Sequence, residues 1–134
     1  MFSSVTKLSS TVLLNLDFQE IDEILSNMVK TLPSGRAFRI AFILVDGFAL
    51  MSYSAAVEPL RAANLLASKR LYDVQHIPAT GLTANSSNGA IIKATDQIGE
   101  KMEFDLVLVV AGGDPASFMD ERVFQWLRNL SRRG

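Results

Sequence analysis

Two apolar runs limit the architectures open to this chain. Phe38-Arg39-Ile40-Ala41-Phe42-Ile43-Leu44-Val45 is almost unbroken, rich in β-branched and aromatic residues, and closes at Asp46-Gly47. Phe104-Asp105-Leu106-Val107-Leu108-Val109-Val110-Ala111 has the same character and closes at Gly112-Gly113-Asp114-Pro115. A half-exposed strand alternates apolar with polar residues; runs this continuous suit strands buried on both faces, which need helices above and below them. Each run leads to a helical pattern. Leu50 to Ala67 repeats Val57, Leu60, Ala63 and Leu66 along one side, and Asp120 to Arg133 puts Val123, Trp126, Leu127 and Leu130 on one face ahead of Gly134, placed as a C-terminal cap. Pro59 removes one backbone bond from the first pattern, so kinked or irregular opening turns are expected there. Strand feeding helix, twice, predicts an α/β fold with a mostly parallel sheet joined by right-handed crossovers.

Shorter elements fill the middle. Tyr72-Asp73-Val74-Gln75-His76-Ile77 alternates at period two, and Ala90-Ile91-Ile92-Lys93-Ala94 reads as a short strand after the polar loop Asn85-Ser86-Ser87-Asn88-Gly89. Residues 1–35 differ from the rest and are expected to form an extension to a domain spanning 36–134. Within them Phe18, Ile21, Ile24, Leu25 and Met28 recur at helical spacing, with acids early and Lys30 late, before Pro33-Ser34-Gly35. This amphipathic helix is expected to pack on the domain behind it, or else to serve a dimer or another partner. After the last helix no residues remain for the strand that should follow, so the sheet is read as incomplete at the C-terminus.

Composition narrows the function classes. With 134 residues, 49% apolar and 20% charged, the chain has enough for one buried core. Thirteen basic against fourteen acidic residues leave a formal charge of −1, so nucleic-acid binding by this chain alone is not expected. Neither a membrane span nor a signal peptide is read from the apolar runs, which places the expected location in the cytoplasm. The absence of cysteine removes disulfides, thiolate metal sites and cysteine nucleophiles together.

In open α/β sheets ligands gather beyond the carboxyl ends of strands, here Asp46-Gly47-Phe48 and Gly112-Gly113-Asp114. Gly112-Gly113 can bring bare backbone N–H groups up to a carboxylate or oxyanion, although glycine pairs also make plain tight turns. Glu58 interrupts an apolar helical surface, so its carboxylate must find a partner such as Arg61 or Arg39, or stay near solvent. His76, the single histidine, lies on a half-buried strand and has nothing beside it in sequence to complete a metal shell or catalytic pair. No nucleophile elbow and no dinucleotide fingerprint is present, and neither a catalytic residue nor a cofactor is expected.

The ordered set Phe42-Ile43-Leu44-Val45-Asp46-Gly47-Phe48, Glu58-Pro59-Leu60-Arg61-Ala62-Ala63-Asn64, Ser86-Ser87-Asn88-Gly89 and Phe104 to Gly113 resembles the class I glutamine amidotransferase-like (PfpI-like) sensor domain of AraC-type transcription regulators. The resemblance covers about Arg39 to Gly134. It implies a flavodoxin-like three-layer sandwich, with Glu58 pointing toward the family's nucleophile position and Gly112, Gly113 and Asp114 lining the same pocket. It also implies a small nitrogen-containing metabolite, amino-acid or betaine-like, as the ligand. The family's nucleophile strand and its pair of helix-turn-helix units would follow Gly134. The expectation is therefore a fragment of a metabolite sensor without its DNA-binding region. A cysteine-dependent amidotransferase or hydrolase fragment, and an inactive remnant, stand as alternatives. An open sheet edge would let the chain form a homo-oligomer or pair with a full-length relative.

Overall fold

The computed structural model describes residues 12–13, 19, 23, 35–99, 103–113 and 117–133. Their elements, in order, are β1 (Val12–Leu13), β2 (Phe38–Leu44), α1 (Leu50–Leu66), β3 (Tyr72–Pro78), β4 (Thr83–Asn85), β5 (Ile91–Lys93), β6 (Leu106–Val110) and α2 (Glu121–Arg133). The main sheet runs β1-β6-β2-β3 and is parallel throughout, while β4 and β5 form a separate antiparallel hairpin. This is the α/β architecture that the two apolar runs imply.

The central strand shows why both runs lack polar residues. Phe38, Ile40, Phe42 and Leu44 enter one core with Tyr53, Ala56 and Leu60 of α1, whereas Ala41, Ile43 and Val45 enter a second core with Val123, Trp126 and Leu130 of α2. Successive side chains point to opposite faces, and each face carries a helix, so every position of β2 except Arg39 is buried. Its amino end is tied to the strand beside it. Arg36 Nη1 and Nη2 donate to the two Asp105 oxygens at 2.7 and 2.5 Å, and the Arg39 N–H donates to Asp105 Oδ2 at 2.8 Å. Burial pushes the Asp105 carboxyl up, but these hydrogen bonds and the two guanidinium charges outweigh it and hold the group below the usual carboxylate range.

Helix α1 continues through Pro59, which lies on its exposed side next to Glu58. The expected irregular opening turns are not seen: the assignment is helical from Leu50 onward. Asn64, the last residue of the Glu-Pro-Leu-Arg-Ala-Ala-Asn string, has a clear structural task. Its Oδ1 accepts from the Leu71 and Tyr72 N–H groups at 2.8 and 2.9 Å, and its Nδ2 donates to the Tyr72 carbonyl at 2.9 Å. One side chain thus locks the turn from α1 into β3. At α2, Asp120 caps the helix by accepting from the Arg122 N–H at 3.0 Å. The C-capping position expected of Gly134 lies outside the described residues.

Two further features qualify the sequence reading. The polar segment before β5 is the turn of a hairpin whose first strand, β4, is too short to be seen in sequence. The outer edge of β6 is not bare, because Val12 and Leu13 pair with Val107 and Leu108. Gln19 and Glu23 are helical and exposed; the remainder of the expected N-terminal helix, including Phe18, Ile21, Ile24, Leu25 and Met28, lies outside the described residues.

Candidate ligand site at the carboxyl edge

The segments that follow β2 and β6 meet at the carboxyl edge of the sheet. The Val45 N–H donates to the Val110 carbonyl at 3.0 Å, and the Ala49 N–H reaches the Ala111 carbonyl at 3.4 Å. The hairpin closes one side of this meeting point. Asp46 Oδ1 accepts from the Asn85 N–H, Gly47 N–H donates to the Asn85 carbonyl, and Ser87 N–H donates to the Phe48 carbonyl, each at 2.8 Å. Ser86 is buried in the turn and donates to Asn88 Oδ1 at 2.6 Å. Asp46, Asn85, Ser86 and Asn88 therefore spend their polar atoms on fixing the loop.

Gly112 is required by packing. A Cβ there would lie 2.4 Å from the Gly47 carbonyl oxygen and 3.0 Å from the Ala49 nitrogen, so the two segments approach each other backbone to backbone. Gly113 has φ +63° and open space around it, a left-handed conformation that favours glycine. Among the described residues no acceptor is bonded to the N–H of Gly112 or Gly113. Asp114 lies outside the described residues. The N-cap of α1, Ala49, supplies no side-chain cap, and no acidic residue occupies the first turn. The edge thus combines glycine amides with the positive end of a helix dipole, which suits a carboxylate.

Glu58 is placed differently. It is eight residues beyond Leu50, about 12 Å along the helix axis. Its Oε2 accepts from Arg61 Nε and Nη2 at 2.7 Å each, and its side chain is 55% exposed. The structure thus brings Gly112 and Gly113 together with the α1 N-terminus, while Glu58 pairs with Arg61. Arg39, the other partner considered, instead approaches Glu103 at 3.6 Å and stacks over the Phe104 ring at 5.7 Å.

Sequence reasoning missed a part-buried polar pair in the same layer. Tyr53 O–H lies 2.9 Å from His76 Nε2; the Tyr53 ring packs edge to face with His76, Phe42 and Phe48, and the His76 ring lies tilted against Phe42. Burial pushes the His76 imidazole below its usual value and the Tyr53 phenol above its own, the latter helped by the Glu58 charge. The one sequence signal was the single histidine on an alternating strand; its partner, 23 residues away in α1, follows only from packing.

A cleft of about 710 Å³ opens elsewhere, between Pro78–Leu82, residues 97–99 and the α2 side chains Arg122, Gln125, Trp126 and Asn129. None of the candidate ligand residues Glu58, Gly112 and Gly113 lines it. The described residues contain no cluster of His, Cys, Asp or Glu that could hold a metal ion, and no described helix is long and apolar enough to cross a membrane.

No family model matches the chain. Its sequence is 43% identical over 108 residues to the HTH-type transcriptional regulator GlxA of Rhizobium meliloti, covering 80% of this chain and 33% of that protein. Among solved structures, an AraC family transcriptional regulator from Pseudomonas putida superposes with a TM-score of 0.62 at 25% identity, over 72% of this chain and 60% of that one. A DJ-1 superfamily protein from Agrobacterium tumefaciens superposes with a TM-score of 0.54 at 16% identity, over 72% of this chain and 49% of that one, and supports the flavodoxin-like fold alone. The chain therefore spans about a third of the length of the regulator it matches in sequence. The shared sequence makes AraC-type helix-turn-helix transcriptional regulators the homologues of this chain, and its parallel sheet covered on both faces has the flavodoxin-like α/β fold of the superposed structures.

Proposed function

We propose that the domain binds a small nitrogen-containing metabolite, of amino-acid or betaine type, through its carboxylate at the carboxyl edge of β2 and β6. The observation that carries this reading is the juxtaposition of Gly112 and Gly113, whose N–H groups bond no described acceptor, with the uncapped start of α1. Asp114, the next residue in sequence after Gly113, is included in the proposed site. Glu58 is kept as an outer group of the proposed site, which a ligand cation would reach once its pair with Arg61 opens. Residues 36–134 form the sensing unit in this reading and 1–35 its extension. The role is regulatory rather than catalytic, consistent with relatives that are transcriptional regulators. DNA contact is assigned to other parts of such regulators, in keeping with the −1 charge here, and the location is the cytoplasm.

Calorimetric titration of the pure chain with zwitterionic amino acids and betaines tests the reading. The expected result is a ligand whose carboxamide analogue no longer binds, because a neutral amide loses the charge-assisted bonds to the backbone N–H groups. Glu58→Gln should weaken the same ligand about tenfold, the equivalent of about 1.4 kcal/mol. Equal affinity for acid and amide, or no binding across the panel, would overturn the assignment.

A further inference from the structure

The cleft beside α2 lies on the face of the sheet opposite α1, between the helix and the segments that follow β3 and β5. That is the β3 side of α2, away from the outer edge of β6. Arg122, Gln125, Trp126 and Asn129 follow the i, i+3, i+4, i+7 spacing, so one face of the helix turns all four toward the opening. Ile98, Val123 and Trp126 give it an apolar floor, and the exposed Thr80, Gln97, Gln125 and Asn129 give it an uncharged polar rim. Its volume of about 710 Å³ falls inside the range of about 300–1,000 Å³ usual for small-molecule sites.

Trp126 distinguishes the cleft from a plain gap between elements. Its ring is 5% exposed and packs edge to face with Phe104, yet its Nε1–H is buried and bonds no acceptor among the described residues. Buried indole N–H groups ordinarily find a partner, and one that lacks a protein acceptor calls for water or a ligand. The rest of the lining narrows the ligand. No carboxylate is among the described lining residues, so a cation would meet no counter-charge. Arg122 already donates to Asp120 from Nε at 3.2 Å and Nη2 at 2.8 Å, so an anion would have to displace that carboxylate. The hydroxyl and amide groups of the rim each offer both a donor and an acceptor, and the apolar floor suits a flat ring better than a polyol.

The geometry points to a second ligand site in this cleft, for a small, flat, uncharged heterocycle of the nucleobase kind. Its ring carbonyl accepts from Trp126 Nε1–H as the exposed neighbours Gln125 and Asn129 turn to meet its mixed donor and acceptor edge. This site does not rest on the carboxylate site at the strand ends.

Trp126 is the only tryptophan, so its indole N–H gives a single, local resonance in a nitrogen-15 NMR spectrum of the full chain. Uracil or hypoxanthine should move that resonance, and pyrimidine, the same ring as uracil without its carbonyls, should bind about tenfold more weakly, the worth of one hydrogen bond. Trp126→Phe keeps an aromatic ring and deletes the donor, and should weaken the oxo compounds by about the same factor in calorimetry. The paired change Gln125→Ala with Asn129→Ala lies on the exposed rim, and should weaken them as much while leaving the urea midpoint in place. An indole resonance unmoved by either compound up to about 1 mM overturns the inference. So does pyrimidine binding as tightly as uracil, or a rim variant that binds like the parent. Tighter binding of orotate, the carboxylated analogue of uracil, would give the cleft to anions through Arg122 and overturn the uncharged assignment.

Discussion

Replacing Gly112 by Ala separates the packing role of the glycine pair from its conformational role. The added Cβ would meet the Gly47 carbonyl oxygen at 2.4 Å, the Phe48 carbonyl carbon at 3.2 Å and the Ala49 nitrogen at 3.0 Å. All three are backbone atoms, so no side chain can turn aside; the segment after β2 has to retreat. That movement strains the Ala49 N–H to Ala111 carbonyl contact and the hydrogen bonds by which Gly47 and Phe48 hold the hairpin. Overpacking of this kind costs about 1–3 kcal/mol, and one weakened backbone bond adds about 1 kcal/mol, for a loss of about 2–4 kcal/mol. In a domain of this size the melting temperature should fall by roughly 10 °C. Gly113→Ala meets open space and carries only the cost of a left-handed conformation, about 1–2 kcal/mol. Urea unfolding followed by Trp126 fluorescence, the only tryptophan in the chain, measures both variants. If Gly112→Ala stays within about 0.5 kcal/mol of the parent, or if Gly113→Ala is the more damaging change, the close backbone approach inferred at Gly112 is refuted.

Two further outcomes follow from the packing. Asn64→Ala removes three hydrogen bonds to the backbone of the α1–β3 turn and should cost about 2–3 kcal/mol in urea unfolding, because the Leu71 and Tyr72 N–H groups lose their acceptor. A loss under about 0.5 kcal/mol would mean water replaces the clamp. His76 is held neutral by burial, so its folded pKa lies below the unfolded value of about 6.5; its contribution to stability is complete above that pH and is lost as the pH falls through the interval below it. The urea midpoint should therefore decline from pH 7.5 to pH 5.5, and the decline should flatten in His76→Gln, since the chain has no other histidine. An unchanged slope in that variant would assign the titration to another group.

Sequence alone determined the architecture, because its determinants are local and continuous. The runs at Phe38 to Val45 and Phe104 to Ala111 can be satisfied only by strands with cover on both faces, and the helices after each of them supply that cover. The glycines after β6 were legible as a feature of the carboxyl edge for the same reason: strand ends and glycine turns are written in adjacent residues. What the tertiary structure decided is everything that depends on residues far apart meeting in space. The Gly112 contact with Gly47, the Tyr53–His76 pair and the ring of hairpin bonds around Asp46 each join segments that no periodicity links. The partner of Glu58 was left open between Arg61 and Arg39 until helical geometry placed Arg61 one turn away. The pairing of Val12–Leu13 with β6 was hidden most completely, because a two-residue pairing is too short to show a pattern in sequence.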